Sequence, residues 1–542
     1  MLSMGKLLVL AAASFGLALL AAAADGAVAQ EALPVLARVG PWPVASHPIA
    51  FLGRIWFANS VKGRNHNSAD IYSYDPATNQ VRYERHLFSQ DAGAPVVSGG
   101  WLYWPFEDSR FSLGWGHFMA TDGRTWRMGT IPTGRIYHVH AMAAVGQRLV
   151  AATSAWRAGL NVSDDGGSTW RAVYDHPTAN GRVSRIVDLA VTGQEVYAHL
   201  IDSGRSALLR FDGAAPTAVP GWPADRPIRG LSACRGWVYA LVDAGGETEV
   251  WRGDGKRGER LGTARTGWRG RAIVAGRDGL LVVGTDRNGA GLWMSPDGVR
   301  WRVVARLSGG TPWGLAATSG ATYVTGAGAD GQGILWGARR AYIAPCVATP
   351  ARPRAVAAPV ERSVGDLGDR LDRALADPGS YEHHAGAIRD LVHAVALVGP
   401  SDGFFERRFS FPMPEETLSM IGGKVQVPAR DLGRWVLLWG MALAGRGQVP
   451  IGLIAAPWTA PVNSSEKYFD PQPAALWAVA AIGQRDRATM DALIARLARA
   501  DDPPWLRGDV VGALTTLSTR RFGYDVAAWR RWWTEARASW PD

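Results

Sequence analysis

The 542-residue sequence predicts a seven-bladed β-propeller followed by an α-helical domain, a multidomain fold that is mainly β and then α. Two observations predict the propeller. A short turn followed by an apolar strand recurs seven times between Gly53 and Gly320. Turn aspartates also recur 42 to 47 residues apart, at Asp75, Asp122, Asp165, Asp212, Asp254 and Asp297. A unit of this length holds about four short strands, as a propeller blade does. Beyond residue 363 the apolar residues take helical spacing instead.

The N-terminal segment has the features of a secretory signal. Lys6 precedes an apolar run from Leu7 to Ala24, and Ala27-Val28-Ala29 follows as a small-residue cleavage motif. This pattern predicts a signal peptide over residues 1–29, cleaved after Ala29, and a periplasmic or secreted protein without stable membrane insertion. An uncleaved anchor is the alternative, because 18 apolar residues can just span a bilayer.

Charge and cysteine content limit the partners and cofactors. The formal charge of +10 suits acidic partners, but the arginines are scattered and export argues against nucleic acid. Cys234 and Cys346 are the only cysteines, too few for a disulfide framework, so packing must supply the stability. No Cys/His spacing indicates zinc. We therefore expect no cofactor, no metal and no nucleic-acid partner.

The propeller is predicted over residues 30–345. Its seventh unit ends in "GILWGARRAYIAP" and has no aspartate turn after Leu335-Trp336. The N-terminal "VLARVG" at residues 35–40 resembles "VVARLS" at residues 303–308, the strand that follows the sixth turn. The segment near residues 33–39 is therefore expected to pair with the strand near 333–337. Such pairing closes a ring and removes an exposed sheet edge.

Three of the turns carry a recognisable motif. "SDDGGSTW" begins at Ser163, "ATDGRTW" at Ala120 and "SPDGVRW" at Ser295. These stretches resemble the Asp-box of sialidase-type (BNR) repeat propellers, and the resemblance covers roughly residues 31–345. In that family the box is a peripheral hairpin whose Asp holds the turn and whose Trp packs between strands. The resemblance implies structural roles for Asp122, Trp126, Ser163, Asp165, Gly167, Thr169, Trp170, Ser295, Asp297 and Trp301.

The sialidase reaction itself is not expected. The resemblance would require an Arg-Ile-Pro motif, whereas this sequence offers only "GRIWF" at Gly53 and "TIPTGRIY" at Thr130. Seven blades also depart from the six of sialidases. A glycan-active hydrolase of the Asp-box propeller type, with a carboxylate pair in the central channel, stays open as the alternative.

Residues 346–362 are rich in Pro, Ala and Arg and are predicted to form a linker. Residues 363–542 follow as a helical domain, and Pro473 to Trp533 resembles paired-helix repeats of the HEAT type. Such repeats usually present a surface to a protein partner. A compact helical cap packed on the propeller is the alternative. His384 and His393 lie nine residues apart, a spacing that does not place them on a shared helix face, so they predict no metal site.

The candidate binding site lies where the innermost strands begin. Equivalent loops of a propeller meet around one axis, so arginines in these loops are expected to converge on one cavity that binds an anionic ligand or an acidic protein surface. Photosystem II assembly-factor propellers, similar in repeat type, also use an arginine patch. The candidate residues are His138, His140, Arg185, Arg229, Arg269, Arg271 and Trp313. The alternative is that the arginines are solvated or pair with Asp188 and Asp225. The predicted function is a non-enzymatic binding or scaffold protein.

Overall fold

The computed structural model describes residues 31–63, 68–110, 114–178, 182–263, 267–346, 364–420, 425–460 and 469–542. The predicted signal peptide and nearly all of the predicted linker lie outside these ranges. The described part is a mainly-β, propeller-like region followed by a helical region.

Four-stranded antiparallel units build the β region. The first unit contains β3 (Val44–Phe51), β4 (Arg54–Ser60), β5 (Ala69–Asp75) and β6 (Gln80–His86). In the second unit the first strand is interrupted, and the strands are β7 (Ser89–Ala92), β8 (Val96–Ser98), β9 (Trp101–Ser109), β10 (Gly116–Thr121) and β11 (Trp126–Ile131). The third unit contains β12 (His138–Val145), β13 (Arg148–Ser154), β14 (Ala158–Ser163) and β15 (Arg171–Asp175).

The next units repeat the same order. The fourth contains β16 (Ser184–Thr192), β17 (Glu195–Asp202), β18 (Arg205–Phe211) and β19 (Thr217–Ala218). The fifth contains β20 (Ile228–Cys234), β21 (Trp237–Asp243), β22 (Thr248–Gly253) and β23 (Gly258–Thr263). The sixth contains β24 (Arg269–Gly276), β25 (Gly279–Asp286), β26 (Gly289–Ser295) and β27 (Arg302–Leu307). In each, the third and fourth strands are joined by the predicted aspartate turn.

The last unit is completed by the N-terminal segment, as the sequence predicts. β28 (Gly310–Ala317), β29 (Thr322–Gly328) and β30 (Gly333–Ala338) are followed in space by β2 (Val35–Val39), and Val39 pairs with Gly333. The missing turn after Trp336 follows, because the fourth strand comes from the other end of the chain. β1 (Glu31–Leu33) adds a parallel strand to β27 in the preceding unit.

A disulfide between Cys234 and Cys346 adds a covalent tie that the sequence did not predict. The two Cα atoms lie 5.7 Å apart, although the residues are 112 positions apart in the chain. Beside it, Pro345 forms a β-bridge with Gly276. The tail that leaves the last strand is therefore held against the ends of β20 and β24. The expectation that packing alone supplies the stability is corrected by this pair.

The described part of the helical region contains the α-helices that the periodicity predicts and one more. They are α1 (Val364–Ala376), α2 (Glu382–Val398), α3 (Ala429–Ala444), α4 (Ile451–Ala455), α5 (Pro471–Ile482), α6 (Arg487–Leu497), α7 (Pro504–Ser518) and α8 (Val526–Ala536). The hairpin of β31 (Thr417–Met420) and β32 (Val425–Pro428), and the short α4, were not predicted. None of the described helices is both long and apolar enough to cross a membrane.

The helices and the first unit share one hydrophobic core. Trp435, Trp439 and Trp529 are buried in it together with Phe57 and Tyr83 of the first unit. Two glycines of α7 permit the close approach of the two parts. A Cβ on Gly508 would lie 2.7 Å from the His86 ring, and one on Gly512 would lie 2.8 Å from Phe88. The compact cap is therefore the arrangement that the structure shows.

Buried charges link the two parts at this contact. The His86 ring lies between two carboxylates, with Nδ1 2.8 Å from Asp70 Oδ1 and Nε2 3.1 Å from Asp509 Oδ1. The Arg110 guanidinium lies 2.9 Å from Asp509 Oδ2 and 4.4 Å from the centroid of the Trp505 ring. All four charged side chains are fully buried. The network thus depends on mutual pairing, because a buried ion without a partner is costly.

Two further hydrogen bonds hold the Asp70 carboxylate. The Trp42 indole and the Tyr524 hydroxyl each donate to Asp70 Oδ2 at 2.7 Å. Burial alone would lower the pKa of His86, but the hydrogen bonds and charges of Asp509 and Asp70 outweigh burial and raise it. The imidazolium form is therefore the one that the network stabilises.

We expect Asp509→Ala to lower the free energy of unfolding by about 3 to 5 kcal/mol, since it leaves Arg110 and His86 buried without their shared carboxylate. Asp501→Ala is the matched control, because Asp501 is exposed and lies just before the same helix. Chemical denaturation measures both variants. Equal stability of the two would contradict the role given to the network.

The raised pKa of His86 gives a second prediction. Its contribution to stability is complete below the unfolded pKa of about 6.5 and is lost as pH rises through the higher folded pKa. The difference in unfolding free energy between the wild type and His86→Gln should therefore shrink from pH 6 upwards. Denaturation at a series of pH values measures it, and a difference that grows with pH would refute the assignment.

Candidate functional site

The candidate residues all lie at the beginning of a first strand. His138 and His140 are in β12, Arg185 in β16, Arg229 in β20, Arg269 and Arg271 in β24, and Trp313 in β28. We use the term mouth for the end of the units at which the first strands begin. Each second strand runs antiparallel and ends there too, as the pairing of Arg185 with Ile201 and of Arg269 with Thr285 shows.

The candidates do not converge on one cavity, and the sequence prediction is corrected here. Arg229, Arg269, Arg271 and Trp313 line one cavity of about 420 Å³, which we call the cationic cavity. His138 and Arg185 line another of about 450 Å³. This second cavity also contains three carboxylates, and we call it the acidic cavity. Equivalent positions of the repeated units thus carry different side chains, and these form two cavities of different chemistry.

Arg271 and Trp313 form the centre of the cationic cavity. The Arg271 guanidinium lies 3.7 Å from the centroid of the Trp313 ring, a cation–π contact between neighbouring units. Among the residues that the structure describes, Arg271 has no ion pair. Burial and the nearby Arg229 charge lower the pKa of Arg271 from its very high ordinary value. A guanidinium always carries its charge in proteins. Arg271 therefore provides a positive charge that Trp313 holds in place and that has no ion pair among the described residues.

The other two arginines of this cavity are already engaged. Arg229 forms an ion pair with Asp243, and its Nε donates to Asp243 Oδ2 at 3.0 Å. Arg269 Nε donates to the Gly246 carbonyl at 3.2 Å. Pairing with a blade acid, the alternative from the sequence, therefore applies to Arg229. Its partner is Asp243 and not Asp188 or Asp225.

Asp188 is occupied by the backbone. It accepts from Leu189 N at 2.9 Å and from Leu231 N at 3.0 Å, which joins the fourth unit to the fifth. Burial raises the pKa of Asp188 to about 6, against the effect of these two hydrogen bonds. The carboxylate therefore holds two first strands together.

The acidic cavity contains Gln90, Asp91, Glu107, Asp108 and His138. His138 Nδ1 lies 2.9 Å from Asp108 Oδ1 and 3.5 Å from Glu107 Oε1. Burial and the charge of Asp108 raise the pKa of Glu107 to about 7. The imidazole of His138 thus offsets only part of the effect that burial and the Asp108 charge have on the pKa of Glu107.

Asp91 is neutralised, because it forms an ion pair with Lys62 and accepts from Ser60 Oγ at 2.6 Å.

His140 lines neither cavity. Its ring stacks on His138 at 5.2 Å, and its Nε2 lies 3.0 Å from Ser154 Oγ. Burial, His138 and Arg185 lower the pKa of His140 well below its ordinary value. His140 therefore supports His138 from behind.

Sequence reasoning missed Glu107 and Asp108. It followed the loops before the first strands and left out the ends of the second strands, which reach the same mouth. The signal was present in "WPFEDS", where two acids follow a buried strand at that end. Carboxylates, whose convergence would favour a hydrolase, thus line both cavities. Three line the acidic cavity, and Asp243 and Glu247 line the cationic cavity beside its three arginines and Trp313.

The turn aspartates are engaged by their own hairpins. Asp165 Oδ1 accepts from Ser168 N at 3.0 Å, Thr169 N at 2.8 Å and Ser163 Oγ at 2.8 Å. Although burial opposes the shift, these hydrogen bonds and that of Thr169 Oγ1 lower the pKa of Asp165. The Gly167 amide, at φ +90°, donates to Ser163 Oγ at 2.8 Å. The carboxylate is therefore fully used within the turn.

The other two motifs have the same geometry. Asp297 accepts from Arg300 N at 2.8 Å and Ser295 Oγ at 3.0 Å, and Asp122 accepts from Thr125 N at 2.7 Å. Trp170 and Trp301 each donate from Nε1 to a turn carbonyl at 3.1 Å. These two rings and Trp126 are half-buried.

His393 is the histidine of the helical region whose side chain the structure describes. His393 packs edge-on against Trp115 of the second unit, with ring centroids 4.4 Å apart. Burial lowers the pKa of His393. The His384 side chain lies outside the described residues. His393 thus serves the contact between the helices and the β region.

Comparison with known proteins shows a distant likeness in structure only. No protein-family model matches the sequence, and no curated protein matches it either. The structure is similar to YCF48 from Cyanidioschyzon merolae, with 13% identity and a TM-score of 0.40 over 56% of this chain and 98% of that one. It is also similar to YCF48 bound to a D1 peptide, with 14% identity and a TM-score of 0.39 over 59% and 100%. At this level the likeness carries no statement about function.

The turn geometry predicts that Asp165→Ala lowers the free energy of unfolding by about 1 kcal/mol, as for loss of other local capping side chains. Its neighbour Asp164 is exposed and pairs only with Arg148 in the described structure, so Asp164→Ala should change stability much less. Thermal and chemical denaturation measure both. A neutral Asp165→Ala variant would show that the carboxylate does not hold the turn.

Proposed function

We propose that the chain is a periplasmic or secreted, non-enzymatic binding protein whose four-stranded units close as a seven-bladed propeller of the Asp-box type. In this proposal the cationic cavity binds an anionic group of a ligand or of a protein partner. The observation that carries it is the Arg271 guanidinium, which is stacked on Trp313 and has no ion pair among the described residues. The signal-like N-terminus supports export.

The cation is positioned for recognition of a carboxylate or sulfate. Stacking on Trp313 fixes the plane of the guanidinium, so less conformational freedom is lost when an anion binds. Arg269 lines the same cavity and adds a second positive charge without a carboxylate partner in the described structure. Two donors of this kind can form paired, charge-assisted hydrogen bonds to one anionic group. The cavity thus combines charge with a flat aromatic wall.

The hydrolase alternative is less well supported by the acidic cavity. One oxygen each from Glu107 and Asp108 lies within 4.8 Å of the other and of the His138 ring. Carboxylates that flank a glycosidic bond are about 5 to 5.5 Å apart in retaining enzymes and about 6.5 to 9.5 Å apart in inverting ones. Adjacent residues that share one imidazole leave little room for a sugar between them. A binding role therefore has the stronger support.

The helical region supplies a second surface in this proposal. Leu397 of α2 is 63% exposed, an unusual exposure for a leucine on a helix that otherwise packs into the core. A protein partner on this side would cover it. The proposal for the cationic cavity does not depend on that partner.

The test compares two double charge reversals, one inside the cationic cavity and one away from it. Arg269→Glu with Arg271→Glu should weaken binding of a polyglutamate peptide and of chondroitin sulfate at least tenfold, because the cavity loses its cations. Arg235→Glu with Arg277→Glu is the matched control. Both control arginines are exposed, and they lie at the opposite ends of β20 and β24.

Isothermal titration calorimetry at low and high salt measures the affinities. Wild-type and control proteins should bind equally, and binding of both should weaken as salt is raised, since salt screens charges. Equal affinity of the two double variants would refute a cationic cavity that binds anions. A melting temperature within a few degrees of wild type confirms that the variants are folded.

A further inference from the structure

We propose that the acidic cavity is a binding site for one divalent transition-metal ion. Its ligands are carboxylate oxygens of Glu107 and Asp108 and the His138 imidazole, with the Gln90 side-chain oxygen as a fourth donor. This site is separate from the cationic cavity, and it departs from the sequence-based expectation of no metal.

Two buried polar groups at the cavity lack the partners that their burial requires. His138 is only 9% exposed, and its Nδ1 makes no hydrogen bond of acceptable geometry although it faces two carboxylates. The Gln90 Oε1 atom is buried and has no hydrogen-bond donor among the described residues. Buried polar atoms without partners are rare and costly in folded proteins. Both residues line the cavity, so an occupant there could satisfy them.

The Gln90 amide is also oriented by the structure. Its Nε2 donates to Glu107 Oε2 at 3.1 Å, which leaves Oε1 as the group without a partner. A cation accepts electron pairs from such an oxygen, whereas a second anion would not. The occupant of this position is therefore electron-poor.

The charges of the cavity favour a cation as well. Asp91 is paired with Lys62, so these two cancel. Glu107 and Asp108 face one imidazole between them, and Arg185 lines the cavity without an ion pair in the described structure. The two adjacent carboxylates of Glu107 and Asp108 therefore share one imidazole and one guanidinium at the cavity. A divalent ion removes the repulsion between the two adjacent carboxylates.

The donor set indicates the class of ion. The potential ligand atoms of Glu107, Asp108 and His138 all lie within 4.8 Å of one another. Bonds from Zn²⁺ to nitrogen or carboxylate oxygen are about 2.0 to 2.2 Å, so a small inward movement would bring all three into coordination. An imidazole ligand favours zinc and related transition metals, whereas Ca²⁺ and Mg²⁺ prefer oxygen alone.

The experiment is titration of the full-length protein with ZnCl₂ after treatment with EDTA. Calorimetry should show one site per chain that Asp108→Asn and His138→Ala each weaken at least tenfold. Asp202→Asn is the matched control, because Asp202 ends the second strand of another unit and also faces a histidine, His176 at 3.3 Å. Asp202→Asn should keep wild-type affinity, and CaCl₂ should bind more weakly than ZnCl₂.

Folding of each variant is checked by its melting curve in EDTA. Gln90→Ala provides a milder change, because it removes one donor and no charge, and should also weaken zinc binding. Absence of a site in the wild type, or equal affinities of Asp108→Asn and Asp202→Asn, would overturn the proposal. Neither result would bear on anion binding, which rests on other residues.

Discussion

The buried chain from Asp70 through His86 and Asp509 to Arg110 fixes the relation between the helices and the first units. None of these charges reaches solvent, so each is tolerated only while its neighbours stay in place. The glycines of α7 allow the helix to approach closely enough for these contacts. Separation of the two parts would expose a shared core and take the Asp509 carboxylate away from the buried His86 and Arg110. The helical region is thus an integral part of the structure.

The same contact places the helical region beside the mouth. Arg110 follows β9, the strand that also carries Glu107 and Asp108 at its end. Trp115, the second residue of the next described segment, packs against His393 and Trp439. Glu107 and Asp108 therefore lie just before residues that contact the helical region, Arg110 and Trp115. Such support favours fixed positions for ligand atoms.

The mouth is asymmetric although the units repeat. Three carboxylates line the acidic cavity, where the first three units meet, and three arginines line the cationic cavity of the fifth to seventh units, together with Asp243 and Glu247. Every unit supplies the same backbone positions, the start of a first strand and the end of a second. Differences in chemistry then come only from the side chains at those positions. One scaffold in this way forms two cavities of different chemistry at the same end.

The sequence by itself determined the features that depend on neighbouring residues. Glycine and aspartate turns mark each hairpin, alternating apolar residues mark the strands, and helical spacing marks the helices after residue 363. Even the pairing of Val35–Val39 with the last strand followed from local similarity between two segments. Only the tertiary structure decided which charges meet. Arg185 and Arg271 lie in different cavities, Cys234 is bonded to Cys346, and His86 contacts Asp509. No local sequence pattern relates the residues of any of these pairs. Their meeting depends on how the units and helices pack, a long-range property that periodicity does not encode.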